Sequence, residues 1–288
     1  FLTMAKDYSG YGPAYKGLKT RDDVYIPKPV REFSGDDPYV RMAPIRGRIK
    51  DISFDESYTF IDRTLGFKVK RFLTYIVVWF IAIPANWLRY GLRVHGRSNI
   101  KRNRDLLRNG VMTVCNHVYR WDMISVFRVM PFRRACIPMY SEPFKGDDGW
   151  IMKHVGGIPI PDNTGGLKKF SEAVREAVDD RTWIHIFPES CSWNFYSPIR
   201  PFKPGSFNLA YRYGLPIVPL VISFRPRTGW RKIICKDEPL VDIHVGEPII
   251  PDPGKPKMTE VKRMVDTAHH AMCDMAGILE NPWPATMK

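Results

Sequence analysis

The sequence has no Cys-x-x-Cys pair, and its five cysteines (115, 136, 191, 235 and 273) are scattered and odd in number. That excludes a disulfide framework and a cysteine-based zinc site, and a reducing compartment is the simplest inference. No other metal-ligand spacing stands out, so neither a metal nor a bound cofactor is expected. Acidic residues are scarce, 30 against 44 Lys and Arg, which leaves a net charge of +14. Such a balance favours an anionic partner, either phospholipid headgroups or nucleic acid. No RNA-binding motif accompanies the charge, and nucleic acid is set aside. The longest apolar run, Phe72 to Pro84, falls short of the roughly 20 residues that a bilayer-spanning helix needs. Residues 1–68 show no sustained hydrophobic period and are rich in Tyr, Gly and Pro.

What is present falls into three parts. Residues 1–68 read as an extended arm with no apolar face of its own, lying either on its own domain or on another subunit of a larger assembly. Residues 69–91 read as an interfacial hydrophobic helix. Tyr75, Trp79 and Trp87 suit the lipid–water boundary, and Pro84 is expected to kink it. Half-insertion into one leaflet is the reading taken, with a core helix or a full span as alternatives. Eight Lys and Arg against the single acid Asp105 lie between Arg71 and Asn109, and an apolar helix with a basic flank holds a protein on an anionic membrane. In a base-stacking platform, by contrast, aromatics lie between the basic residues.

Residues 92–288 alternate strands and helices, which predicts a layered α/β domain with a largely parallel or mixed central sheet flanked by helices. Buried strands are expected at Val111–Cys115, Trp183–Phe187 and Ile217–Phe224, others at Leu92–His95, Ala135–Met139 and Ile158–Ile160, and edge strands at Ile233–Cys235 and Val241–Val245. Helical spacing marks Trp121–Val129, Trp150–His154, Leu167–Val178, Pro204–Tyr213 and Lys257–Leu279, with a short helix or loop at Lys101–Leu107 and a loop at Pro143–Gly149.

The organising stretch is Val114-Cys115-Asn116-His117-Val118-Tyr119-Arg120-Trp121-Asp122. Five residues along a helix rotate by about 140°, so His117 and Asp122 cannot share a helical face. They can meet if His117 stays on the loop while Asp122 opens the following helix and points back. Asp122 would then fix the imidazole tautomer and stabilise the imidazolium. That is half of a serine-hydrolase triad, with a substrate hydroxyl in place of the serine.

Four further blocks follow in order: Gly156-Gly157-Ile158-Pro159-Ile160, Phe187-Pro188-Glu189, Phe202-Lys203-Pro204-Gly205 and Pro216-Ile217-Val218-Pro219-Leu220. With Asn-His-x4-Asp, this ordered set resembles the glycerolipid acyltransferase family, which includes lysophosphatidate acyltransferases and tafazzin. The resemblance covers about Leu92 to Gly246. Thr182-Trp183-Ile184-His185-Ile186 has a tafazzin-like flavour. It implies acyl transfer onto a lysophospholipid hydroxyl, with acyl-CoA or a phospholipid as donor. His117 would be the base and Asp122 its orienter. Asn116 is a candidate oxyanion donor, and Gly156 and Gly157 would permit close approach of ligand. Glu189 would shape the acceptor site, and Lys203 and Gly205 would face an anionic headgroup or a CoA phosphate. Mitochondrial membrane placement follows from the same flavour, with the endoplasmic reticulum as the alternative.

The departures concern phosphate binding. The family often places an arginine after Gly-x-Ile-x-Ile, where this chain has Pro161-Asp162. Phe-Pro-Glu-Gly-Thr-Arg becomes Phe-Pro-Glu-Ser190-Cys191-Ser192, and the lysine pair ahead of the second block becomes Tyr140-Ser141-Glu142. Either the acceptor carries a larger diester headgroup, or the fold persists with little activity as a structural or assembly subunit of a large, mitochondrial complex, using residues 1–68 to bind other subunits.

Overall fold

The computed structural model describes residues 5–42, 47–130, 132–233, 235 and 237–287. Ten strands form two sheets. The large one has the order β3-β9-β8-β4-β7-β5-β6, with β3 Arg93–His95, β4 Met112–Cys115, β5 Ala135–Tyr140, β6 Gly157–Ile160, β7 Trp183–Ile186, β8 Ile217–Arg225 and β9 Leu240–Val245. Every pairing is parallel except β8 with β9. Central strands read as near-continuous apolar runs because both faces are covered. In β8, Ile217 and Val221 enter one cluster with Met112, Val114 and Ile184, while Val218, Leu220 and Ile222 enter a second with Cys115 and Ile243. The helices Thr164–Asp179, Gly205–Tyr213 and Lys257–Ala276 cover the first face, and Asp122–Val129 lies over the second.

The mixed, mostly parallel sheet agrees with the sequence expectation, and several details differ. Strand β9 is not an edge, since β3 pairs outside it. Of the expected strand Ile233–Cys235, Ile234 lies outside the described residues and the flanking positions are a turn and a bend. The expected loop Pro143–Gly149 begins inside a short helix, Glu142–Lys145, with Pro143 in its first turn, where the missing N–H costs nothing. The last helix stops at Ala276 because Gly277 turns left-handed (φ +70°), and Ile278–Glu280 (β10) pairs with the arm instead.

The arm differs most. Its strands β1 (Lys6–Asp7) and β2 (Lys19–Thr20) form a small antiparallel sheet with β10. Ala14, Tyr15, Leu18, Ile26, Phe33 and Phe60 are buried in the first core cluster, where Tyr15 meets Tyr196 edge-on at 5.0 Å and Phe33 stacks on Trp193 at 5.3 Å. The arm has no periodic apolar face, yet isolated aromatics dock one at a time on the domain. Aromatic pairs of this kind contribute beyond the area they bury.

The apolar segment is one helix from Leu65 to Tyr90, longer than the expected stretch and apolar enough to cross a membrane by length and composition. Only 17% of its most apolar window is buried, which does not fit a core helix. Pro84 does not break it. A π turn at Val78–Ala82 precedes the proline and absorbs the backbone group that Pro84 cannot bond. Tyr75 is not at a lipid boundary: its hydroxyl accepts from Ala135 N and donates to Val155 O, both at 3.0 Å, which anchors the helix to the sheet. Phe72, Phe80 and Ile81 point outward at 65%, 71% and 62% exposure.

Because the arm's aromatics belong to the core, Phe33→Ala should cost roughly 3–5 kcal/mol of stability. Chemical denaturation of the full chain measures it, and a loss below about 1 kcal/mol would show that the arm is an appendage.

Candidate active site

His117 follows the carboxyl end of β4, and Phe187-Pro188-Glu189 follows that of the neighbouring β7. Reactive groups in parallel sheets collect at this edge because backbone ends open there. Asp122 is the first residue of the helix Asp122–Val129, where a carboxylate is favoured by the helix dipole. From there it reaches back to hydrogen-bond the Nδ1 of His117. Its other oxygen accepts from Met123 N at 2.7 Å. The Asp122 side chain is 3% exposed and that of His117 is 25% exposed, so the carboxylate is enclosed and the ring has one open side. The ring also stacks on Phe187 at 4.3 Å.

The loop between them is held from below. Tyr119 is buried, and its hydroxyl bonds Ser125 and Asn86 of the long helix. Backbone N–H groups of Trp193 and Phe195 donate to the carbonyls of His117 and Val118.

His117 lines a cavity of about 850 Å³ whose walls include Met139, Ile160, Phe170, Ile186, Phe187 and Leu209. Lys203 and Gly205 also line it. Lys203 donates to the hydroxyl of Tyr140 and lies over the rings of Tyr39 and Tyr140 at 4.7 and 5.2 Å. The structure thus brings His117, Asp122, Lys203 and Gly205 to one place.

The other expected residues stand behind the cavity wall. Asn116 is fully buried, with its amide donating to Ile222 O (2.9 Å) and accepting from Ile222 N (2.8 Å); it clips the end of β4 to β8 and does not line the cavity. Gly156 (φ +108°) and Gly157 meet protein, not ligand. A Cβ at 156 would collide with the Ala135 carbonyl, and one at 157 would lie 2.7 Å from Met152 O. Glu189 is fully buried and occupied on both oxygens. One accepts from Arg200 N (2.8 Å), the other from His117 N (2.9 Å) and the Arg200 guanidinium (2.8 Å). It therefore holds the backbone of His117 and does not face the acceptor.

Sequence reading missed Arg200. This fully buried cation also bonds Pro38 O (2.9 Å) and Cys191 O and lies over Trp193 at 4.6 Å. Its position eleven residues after Glu189 carried no signal. Ser190, at the family's glycine position, keeps the left-handed backbone that glycine would supply (φ +75°), so the turn survives under strain. Arg31, Arg41 and Arg120 on the cavity wall were likewise not singled out. His185, buried beneath the site and bonded to Thr113 (2.8 Å), is held neutral: burial, then the nearby His117, push its pKa down to about 3. Among the described residues no three His, Cys, Asp or Glu side chains gather at metal-binding spacing.

This geometry can be set beside known proteins. A family model described as Acyltransferase matches residues 91–223. The human 1-acyl-sn-glycerol-3-phosphate acyltransferase beta is 30% identical over 200 residues, covering 68% of this chain and 69% of that protein. The chain belongs to the acyltransferase family. The alpha enzyme of Bos taurus is 26% identical over 170 residues, 56% of each chain. This acyltransferase-family chain spans about half the length of that relative and 44% of the human alpha enzyme. Among solved structures, the 1-acyl-sn-glycerophosphate acyltransferase PlsC of Thermotoga maritima is 19% identical, with a TM-score of 0.47 over 75% of this chain and 84% of that one.

Removing the cation beneath His117 leaves the Glu189 carboxyl group buried without its partner, so Arg200→Met should destabilise by roughly 3–5 kcal/mol in a denaturant titration. The acid limb of stability has a defined sign. Burial lowers the pKa values of His185 to about 3 and of His269 to about 4. Above about pH 6.5 both states are neutral there. As pH falls below it the unfolded chain binds protons that the folded one refuses, costing roughly 2 kcal/mol per histidine by about pH 5. Stability curves at pH 7 and 5 should separate accordingly, and His185→Gln should shrink the gap.

Proposed function

We propose that this chain is a membrane-surface O-acyltransferase that moves a fatty acyl group onto the free hydroxyl of a lysophospholipid, with His117 as base and Asp122 as its orienter. The observation that carries the reading is the buried Asp122 carboxylate bonded to Nδ1 of a partly exposed imidazole on the wall of a large, mostly apolar cavity. Similarity to relatives named 1-acyl-sn-glycerol-3-phosphate acyltransferases supports it.

With Nδ1–H pointing at Asp122, Nε2 carries the free lone pair. It takes the proton of the acceptor hydroxyl as that oxygen attacks the carbonyl of an acyl-CoA thioester or of a phospholipid ester. The tetrahedral adduct collapses with loss of the CoA thiolate or the lysophospholipid alkoxide, which recovers the proton from the imidazolium. Asp122 stabilises that imidazolium and prevents the ring from flipping. The apolar wall takes the acyl chain, and burying it stabilises by about 0.8 kcal/mol per CH₂.

The membrane places both substrates. Phe72, Phe80, Ile81, Trp87 and the neighbouring Phe132 (78% exposed) present an apolar face that water would leave unpaired and a lipid leaflet would cover. The mitochondrial membrane is the compartment we favour, the endoplasmic reticulum being the other outcome of a fractionation. The reading of the arm as a dock for other subunits gains no support from its aromatics, which are already buried against this domain.

His117→Ala should abolish acyl transfer to a lysophospholipid while vesicle flotation stays as in the wild type. Asp122→Asn, which leaves a hydrogen-bonding group of the same size, should lower kcat by roughly 10²–10⁴-fold. An unchanged rate in His117→Ala would remove this histidine from the chemistry.

A further inference from the structure

The family's phosphate-gripping positions are poor in cations here, yet the cavity is not. Pro161 and Asp162, at the usual arginine position, do not line it. Among the described residues four cations line it, Arg31, Arg41, Arg120 and Lys203, against one carboxylate, Asp148. Two of the four come from the N-terminal arm, far in sequence from every acyltransferase block.

That part of the arm is fastened to the site. Arg200 donates to Pro38 O at 2.9 Å with the same guanidinium that neutralises Glu189. Trp193 Nε1 donates to Val40 O at 2.8 Å, and the Cys191 thiol lies 3.3 Å from the carbonyls of Tyr39 and Val40. Phe33, two residues after Arg31, is stacked on Trp193. Residues 31–42 are therefore a wall of the cavity, set by the network that also holds His117.

The two arginines on that wall have charge to offer. The Arg31 guanidinium donates to Met42 O at 3.0 Å and meets no carboxylate among the described residues. Arg41 has only a long, exposed contact with Glu142, at 3.4 Å. A guanidinium on an exposed pair gives up little when it turns to another anion, and its planar fork matches two oxygens of a phosphate. Lys203, braced by Tyr39 of the arm, adds a third charge.

We propose that the arm completes the substrate site: Arg31 and Arg41, with Lys203, bind the phosphate of the ligand and replace cations that the acyltransferase blocks of this chain do not supply. They are specificity-determining residues for a phosphate-bearing ligand, either the lysophospholipid headgroup or the phosphates of coenzyme A. The inference uses the cavity assigned above to substrate, but it concerns binding and not the proton transfer at His117.

The test measures binding by the full-length wild type and by the double variant Arg31→Ala/Arg41→Ala. The ligands are lysophosphatidate and a monoacylglycerol of the same chain length, each in mixed micelles, and coenzyme A in solution. Both arginines are exposed, and circular dichroism and thermal melting confirm that the variant folds. The expected result is a fall of roughly ten-fold in affinity for lysophosphatidate relative to monoacylglycerol, partly restored by Arg31→Lys/Arg41→Lys. The same loss seen with coenzyme A instead assigns the arginines to the donor's phosphates and upholds the phosphate site. Equal weakening for monoacylglycerol, or no change with either phosphate ligand, overturns it. Acyl transfer is assayed separately. A protein that binds phosphate through the arm yet transfers nothing keeps this inference and loses the transferase reading.

Discussion

The structure around the cavity depends on one buried ion pair. Glu189 and Arg200 are both fully excluded from solvent, and neither could be charged there alone. Together they fasten three segments that share no sequence: the backbone at His117, the turn after β7, and the arm at Pro38. Such pairs often add little net stability over an apolar substitute, because desolvation consumes the Coulombic gain. What the pair supplies is position. An apolar contact would tolerate a shift of the His117 loop, whereas hydrogen bonds to both carboxylate oxygens do not.

The His–Asp geometry then follows from elementary constraints. A helix that began at His117 would carry His117 and Asp122 apart around its axis. The loop instead takes up the intervening residues, and Tyr119, buried and bonded to Ser125 and Asn86, keeps it from joining the helix. The imidazole is stacked on Phe187 and bonded at Nδ1 to its carboxylate, so its freedom is small before any substrate arrives. Pre-positioning of this kind lowers the entropy that a reaction must give up.

How much of this was legible in the sequence varied with the range of the interactions. The sheet and its covering helices were, because apolar runs and 3.6-residue spacing are local signals. The meeting of His117 and Asp122 was, because both lie within one turn of a strand–helix junction. Asn116 and Glu189 were placed in the right region and given the wrong neighbours. A polar side chain beside a site can face ligand or backbone, and composition does not separate the two. Arg200 was not legible at all, and the arm's docking on its own domain was legible only as one of two alternatives, without its contacts. Their partners lie far away in sequence, as with Tyr15 and Tyr196 or Arg200 and Pro38, and single aromatics in a Gly/Pro-rich stretch carry no period. Ser190 shows the same limit from another side: the sequence shows the glycine to be missing but not that the fold holds serine in a left-handed backbone conformation there.

The π turn at Val78–Ala82 has a consequence for the rest of the long helix. One extra residue per turn advances everything after it by about 100° around the axis. Wound as a regular α turn, the same sequence would swing Asn86 away from Tyr119, and Trp87 would rotate off the solvent side with it. The wider coil thus acts as a phase shifter between two halves of one rod: the first half is oriented by Tyr75 against the sheet, the second by Asn86 against the loop of His117. An apolar rod and a reactive loop are kept in angular register by a single looped-out peptide unit, and winding the same residues as a regular α turn, with none removed, would desynchronise them.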